Sequence, residues 1–295
     1  MRKFSILSVI GFFLLLLTIG GCIGEVVVPP TPAPDTGSIS GIVTEEGTGV
    51  PLADVSISVD GILTTTTGAD GSYSITGLTP GFHTLKFEKE GYGTETENVE
   101  VVAGVDTSLA MELEDTRVTT SVNISNDTFI VSGSSTVYGS FLYVLLGAYT
   151  ATEEGRILVK FPNPLPAGAK VISAKLKFYK INSMGGASLH CSVYPITEDW
   201  DQTSAEWYTR IGGFPWFTEG GTYDNTQLVG SADIPTAGIF DWEEIEIKDA
   251  FAYWETNDNY GLIIIPEVTT FTRVDFYSYE ASLNEPYVEV EYYIP

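Results

Sequence analysis

Apolar and polar positions follow two rhythms along this chain. From Phe4 to Ile19 nearly every residue is apolar. Beyond Gly37 the apolar residues come in short runs, broken by Gly, Asp, Asn or Pro about every ten residues. Where the runs alternate strictly, as in Ala174-Lys175-Leu176-Lys177-Phe178, one strand face packs and the other meets solvent. Strands are predicted from Ser38 to Val43, Val55 to Val59, Ser72 to Ile75, His83 to Glu88, Val99 to Val102 and Thr107 to Leu113, and β-type sequence continues to Pro295. Helical spacing is confined to Asp249 to Glu255, where Phe251 and Trp254 stand three residues apart and would cover a sheet end. Sandwiches or barrels follow, and an α/β fold does not.

The long apolar stretch has a different meaning. It follows Arg2 and Lys3 and stops at Gly20, Gly21 and Cys22, short of the about 20 apolar residues that a membrane-spanning helix requires. This is the form of a secretory signal. The run Ile19-Gly20-Gly21-Cys22 resembles a lipobox, which implies a signal peptide over 1–21, cleavage before Cys22 and lipid attachment to that cysteine. An uncleaved anchor or an ordinary secreted protein is the alternative. Residues 22–37 form a linker with four prolines, a stiff spacer. The expected location is the extracellular face of the cytoplasmic membrane, with the lipid as the only membrane contact.

Charge narrows the partners. The net charge is −25, and removal of Arg2 and Lys3 would take it to −27, so neither nucleic acid nor an anionic lipid surface is an expected partner. With Cys22 lipidated, Cys191 has no intramolecular partner, and its place between Leu189 and Val193 on one strand face reads as a small buried hydrophobe.

The segment SISGIVTEEGTGVPLADVSISVDG, followed by TTTTGADGSYSITGLTPGFHTLKFEKEGY and a last strand ending at Leu113, resembles the carboxypeptidase regulatory-like domain. That resemblance implies a small seven-stranded β-sandwich over 38–115 and a non-catalytic spacer or interaction role. Gly41 fits a close backbone approach, Ala69-Asp70-Gly71 a tight turn, and Tyr73 and Leu78 the core. Over 116–295, three blocks stand out: RILVKFPNPLPAGAKVISAKLKFYKI, TEDWDQTSAEWYT and EIKDAFAYWETNDNYGLIII. Together they resemble the DNRLRE domain, related to disaggregatase-type repeats and to carbohydrate-binding module family 96. This implies a larger jelly-roll-like β-sandwich that binds carbohydrate. Val137 stands before Tyr138-Gly139 where the family favours Asn, which leaves the role of that loop open.

Candidate chemistry is sparse. His83 and His190 fall in different domains, so they supply neither a triad nor a zinc site, and Arg156 reads as half of a structural ion pair. Paired carboxylates could serve a glycosidase or lyase, but those of the TEDWD block sit in the family's structural motif, so no enzyme is expected. Asp199, Asp201 and Asp258 lie in oxygen-rich clusters that suit calcium, although such residues also build ordinary turns. No other cofactor is indicated. Asn123 and Asn126 begin sequons that glycosylation could use.

For the ligand, two candidates arise. Phe214, Trp216, Phe217 and Tyr223 lie among glycines in a loop, where exposed rings would stack on sugars or buried ones would close the sandwich. Trp200, Trp207, Trp242 and Trp254 read as core. Lys160, Lys170, Lys175, Lys177 and Lys180 fall within one predicted strand pair, and Lys175 and Lys177 share a solvent face, either as a solubilising row or as a row for an anionic polysaccharide. The expected function is binding of a polysaccharide, acidic by this reading, with adhesion to another surface protein or polysaccharide degradation as rivals.

Overall fold

The structure is a computed structural model that describes residues 36–267 and 271–295. The expected signal peptide, Cys22 and all but the end of the expected linker lie outside the described residues. The first domain is built from β1 (Gly37–Glu45), β2 (Ser56–Val59), β3 (Ile62–Thr66), β4 (Ser72–Leu78), β5 (Gly81–Glu88), β6 (Glu95–Val101), β7 (Asp106–Ser108) and β8 (Met111–Leu113). One sheet runs β4-β1-β7 with β8 also on β1, and the other runs β3-β2-β5-β6. β7 and β8 are two halves of one strand, since both run parallel to β1 with Leu109 and Ala110 between them. The sandwich therefore has the seven expected strands. Gly41 allows the break: a Cβ there would lie 1.7 Å from the Leu109 carbonyl oxygen. Ile39, Val43, Ile57, Tyr73, Leu85 and Phe87 fill its core.

The second domain continues with β9 (Val118–Asn123), β10 (Asn126–Val131), β11 (Tyr143–Ala148), β12 (Glu154–Lys160), β13 (Lys170–Met184), β14 (Ser188–Pro195), β15 (Thr209–Ile211), β16 (Phe214–Pro215), β17 (Gly230–Pro235) and β18 (Asp241–Glu246). Helix α1 (Lys248–Trp254) precedes β19 (Leu262–Pro266), β20 (Arg273–Tyr277) and β21 (Tyr287–Tyr293). One layer has the order β17-β14-β19-β12-β10. In the other, β13 pairs with β18 along one edge and with β21 and then β20 along the opposite edge, while β9 lies outside β21. β11 joins the layers by pairing with β20 and, for two residues, with β12.

Between the layers lies a core that includes Phe129, Ile157, Val159, Phe178, Phe276 and Val290. Each such side chain contributes about 1.5–3 kcal/mol on burial, so this core dominates the domain's stability. Helix α1 closes one end as its spacing predicts, with Phe251 and Trp254 at 6.3 and 5.5 Å from Phe161.

The two layers differ on their outer faces. In β10, β12 and β19 the apolar residues are consecutive, as in Phe129-Ile130-Val131 and Ile157-Leu158-Val159, and they are buried on both faces. In β13, burial alternates from Ala174 to Lys180. The first layer must therefore be covered from outside.

Candidate functional site

Ile130, Leu158 and Ile263 point outward from the first layer and are covered by the segment that follows β14, through Ile196, Trp200, Ala205 and Trp216. This placement corrects the expectation for Trp216. Only 4% of it is exposed, and its indole Nε1 donates to the Glu206 carbonyl at 3.0 Å. An indole can close an apolar cover while its N–H finds a partner, and those contacts remove its face from solvent. Tyr223 is half-buried against Tyr194, with ring centroids 5.1 Å apart. Phe214 and Phe217 are the exposed members, 65% and 88% accessible. The aromatic loop thus splits into two plugs and two surface rings.

Where the cover ends, β12 still carries Arg156 and Glu154 on the same outer face. Trp207 leaves the covering segment to lie over Arg156, whose guanidinium carbon is 4.7 Å from the ring centroid. Arg156 donates to Glu154 Oε1 at 2.9 and 2.7 Å and to the Gly220 carbonyl at 3.0 Å. A Cβ on Gly220 would lie 2.7 Å from the Trp207 ring, and its φ is +80°, so glycine is required there. These contacts fix Trp207 beside a cleft of about 450 Å³ lined by Ser132, Thr150, Glu153, Glu154, Arg156 and Phe271. An indole face, a second aromatic ring, planar charged groups and hydroxyls converge there. Sugar C–H faces stack on such rings while sugar hydroxyls bond to guanidinium and carboxylate groups. Arg156 forms the structural ion pair expected of it, with Glu154 at 2.7 Å, and also lines this cleft; Trp207, expected in the core, is only partly buried against the cover and lines it too.

The second layer's outer face offers the other aromatic and basic surface. Trp242 corrects a further expectation: it is not core but stands outside the sheet, 5.3 Å from Tyr179 and 5.2 Å from Tyr287. Tyr277 stacks on Tyr179 at 5.9 Å. Lys175 and Lys177 do share this face, but they do not form a free cationic row. Lys175 lies 2.7 Å from Glu244, and Lys177 lies 2.9 Å from Glu244 and 3.1 Å from Glu289, because β18 and β21 flank β13 with carboxylates in register. Burial disfavours the charged form of Lys177, yet its bonds to the two carboxylates outweigh that and hold the ammonium above its ordinary value. The remaining lysines are dispersed. Lys180 is buried with Glu243 and the Pro235 carbonyl, Lys160 sits on β12 beside Asp199, and β12 and β13 are not neighbours.

Residues 118–292, more than half of the chain, match carbohydrate-binding module family 96. The chain belongs to that family. Residues 38–114 match the carboxypeptidase regulatory-like domain. No curated protein sequence matches the chain. Among solved structures it is similar to the minor pilin GBS52 of Streptococcus agalactiae, at 19% identity over 28% of this chain and 46% of that one, with a TM-score of 0.24. A DUF3823 family protein of Parabacteroides merdae shares 11% identity over 82% of this chain and 96% of its own, TM-score 0.22. A candidate carbohydrate-binding protein of Bacteroides uniformis shares 13% over 82% and 96%, TM-score 0.26. TM-scores this low establish no common fold.

In the family 96 module the acidic clusters are committed to local structure. Asp199 accepts from Lys160 Nζ at 2.6 Å, which holds its carboxyl below the usual range. Asp201 accepts from the Thr203 amide at 2.8 Å and from its hydroxyl, an Asx turn, and Asp258 accepts from Tyr260 at 3.1 Å. Among the described residues no three His, Cys, Asp or Glu side chains form a metal cluster. His83 bonds Asp60 at 2.7 Å and His190 bonds Asp233 at 2.9 Å, in separate domains. Cys191 is buried, and desolvation pushes its thiol up to about 12. Asn123 is exposed, whereas the Asn126 amide donates to Gln202 at 3.2 Å.

Proposed function

We propose that the protein is a lipid-anchored cell-surface protein whose family 96 module binds polysaccharide in the Trp207 cleft, with the first domain as a stalk. The observation that carries this reading is the convergence of Trp207, Arg156, Glu154 and Phe271 on one concave surface at the open end of the first layer. Charge selects the ligand within that class. The acidic glycan expected from the sequence draws on Lys175 and Lys177, which are matched by Glu244 and Glu289. In the cleft, one guanidinium stands against Glu153 and Glu154, in a chain of net charge −25. An uncharged, hydroxyl-rich polysaccharide meets the smallest electrostatic penalty there. Attachment through Cys22 gives such a module its place outside the cell, and the Cys22→Ser variant should lose both acylation and membrane association.

A glycan array with the full-length chain and its Trp207→Ala variant tests the proposal. Saturable wild-type binding to neutral polysaccharides, lost in the variant, is expected. Binding confined to uronic acid polymers, or equal binding by both proteins, contradicts it.

A further inference from the structure

Four segments distant in sequence meet at the edge of the module's core around two carboxylates. Asp127, on β10, is 1% exposed, on the same strand face as Phe129. Glu280, in the 3-10 turn Tyr279–Ala281 after β20, faces it. Asp127 Oδ2 accepts from the Tyr279 amide at 2.9 Å, and Glu280 Oε1 accepts from Gln202 Nε2 at 2.5 Å. Gln202 also donates to the Gly139 carbonyl at 3.1 Å, and a Cβ on Gly139 would lie 1.8 Å from the Gln202 carbonyl oxygen. The Tyr138-Gly139 loop is thus drawn against the pair by a contact only glycine permits.

The remaining oxygens, Asp127 Oδ1 and Glu280 Oε2, are both buried and find no donor among the other described residues, while the two carboxyl groups themselves stand within hydrogen-bond reach of each other. A carboxylate oxygen removed from water without a donor is costly, and a second carboxylate facing it adds repulsion. Among the described residues the charge that acts on Asp127 is that of Glu280, and no lysine or arginine forms an ion pair with it. Two like charges held together in this way need either a proton between them or a cation.

We infer that Asp127 and Glu280 form a divalent cation site of calcium type, tying β10 to the turn after β20 and to the Gly139 and Gln202 loops. Calcium takes six to eight oxygens and accepts carboxylates together with carbonyls and water, so two facing carboxylates supply the charged part of such a set. The calcium expected at Asp199, Asp201 and Asp258 is thereby moved to residues whose oxygens lack other partners. Without the ion, burial and the facing Glu280 push the Asp127 carboxyl up, against the bond from Tyr279. A bound cation would take the place of that neutralising proton.

Thermal unfolding of the full-length chain at pH 8, with calcium chloride against a chelator, tests the site. At a hundredfold excess over the dissociation constant, the melting temperature should rise by about 5–10 °C. Asp127→Asn and Glu280→Gln should each remove the shift, and Asp127→Asn should leave the calcium-free melting temperature at pH 8 equal or higher, since it relieves the repulsion. Calorimetric titration of the wild type should find one calcium per chain, a readout that requires no variant to fold. No calcium binding by the wild type, or a thermal shift that survives in both variants, would overturn the inference.

Discussion

Two outer faces of the module carry the same residue types to different ends. On the second layer, Trp242, Tyr179, Tyr277 and Tyr287 contact one another, and Lys175 and Lys177 are matched by Glu244 and Glu289. At the open end of the first layer, Trp207 is supported by Arg156 yet still borders a cleft with hydroxyl and carboxylate groups around it. The difference is one of completion. A ring whose contacts are all supplied by its own sheet gains little from a ligand, whereas a ring held at the wall of a cleft has contact area left to give.

Trp207→Ala should break the comparison most visibly. Removing a central aromatic anchor costs about 2 kcal/mol of binding, or roughly 30-fold in affinity, and isothermal titration would read it. Arg156→Met comes next. It removes the donor fork and the support under Trp207, so affinity should fall about tenfold with little change in melting temperature, in keeping with about 1–1.5 kcal/mol for a lost hydrogen bond. Trp242→Ala should do the reverse: loss of its two ring contacts lowers unfolding free energy by about 1–2 kcal/mol in denaturant titration, with affinity unchanged. Smallest of all, Lys175→Gln with Lys177→Gln should leave affinity and its salt dependence unchanged and cost under about 1 kcal/mol of stability. A marked loss of binding in that double variant would return the ligand to the second layer.

Much of this architecture was legible in the alternation of residues. Ala174 to Phe178 showed a strand with one solvent face, Phe251 and Trp254 marked the helix that closes an end, and Gly41 fixed a close approach. β3 was not legible, because Ile62-Leu63-Thr64-Thr65-Thr66 is exposed along almost its whole length and carries no alternation. The buried role of Trp216 had a signal that glycine-rich surroundings obscured. Consecutive apolar residues at Phe129-Ile130-Val131 and Leu262-Ile263-Ile264 require cover on both faces of their layer, and the nearest aromatic-rich segment supplies it. The matched lysines and the Asp127–Glu280 pair depend on register and on segments more than 150 residues apart, which no local pattern carries.

The module's five tryptophans allow the central claim to be tested directly. Their indole N–H resonances, assigned by single Trp→Phe variants of the full-length chain, can be followed while the array's best polysaccharide is titrated in. The account predicts a saturable shift of the Trp207 resonance, with those of Trp242 and the buried Trp216 unmoved. A saturable shift at Trp242 with Trp207 unmoved would contradict it.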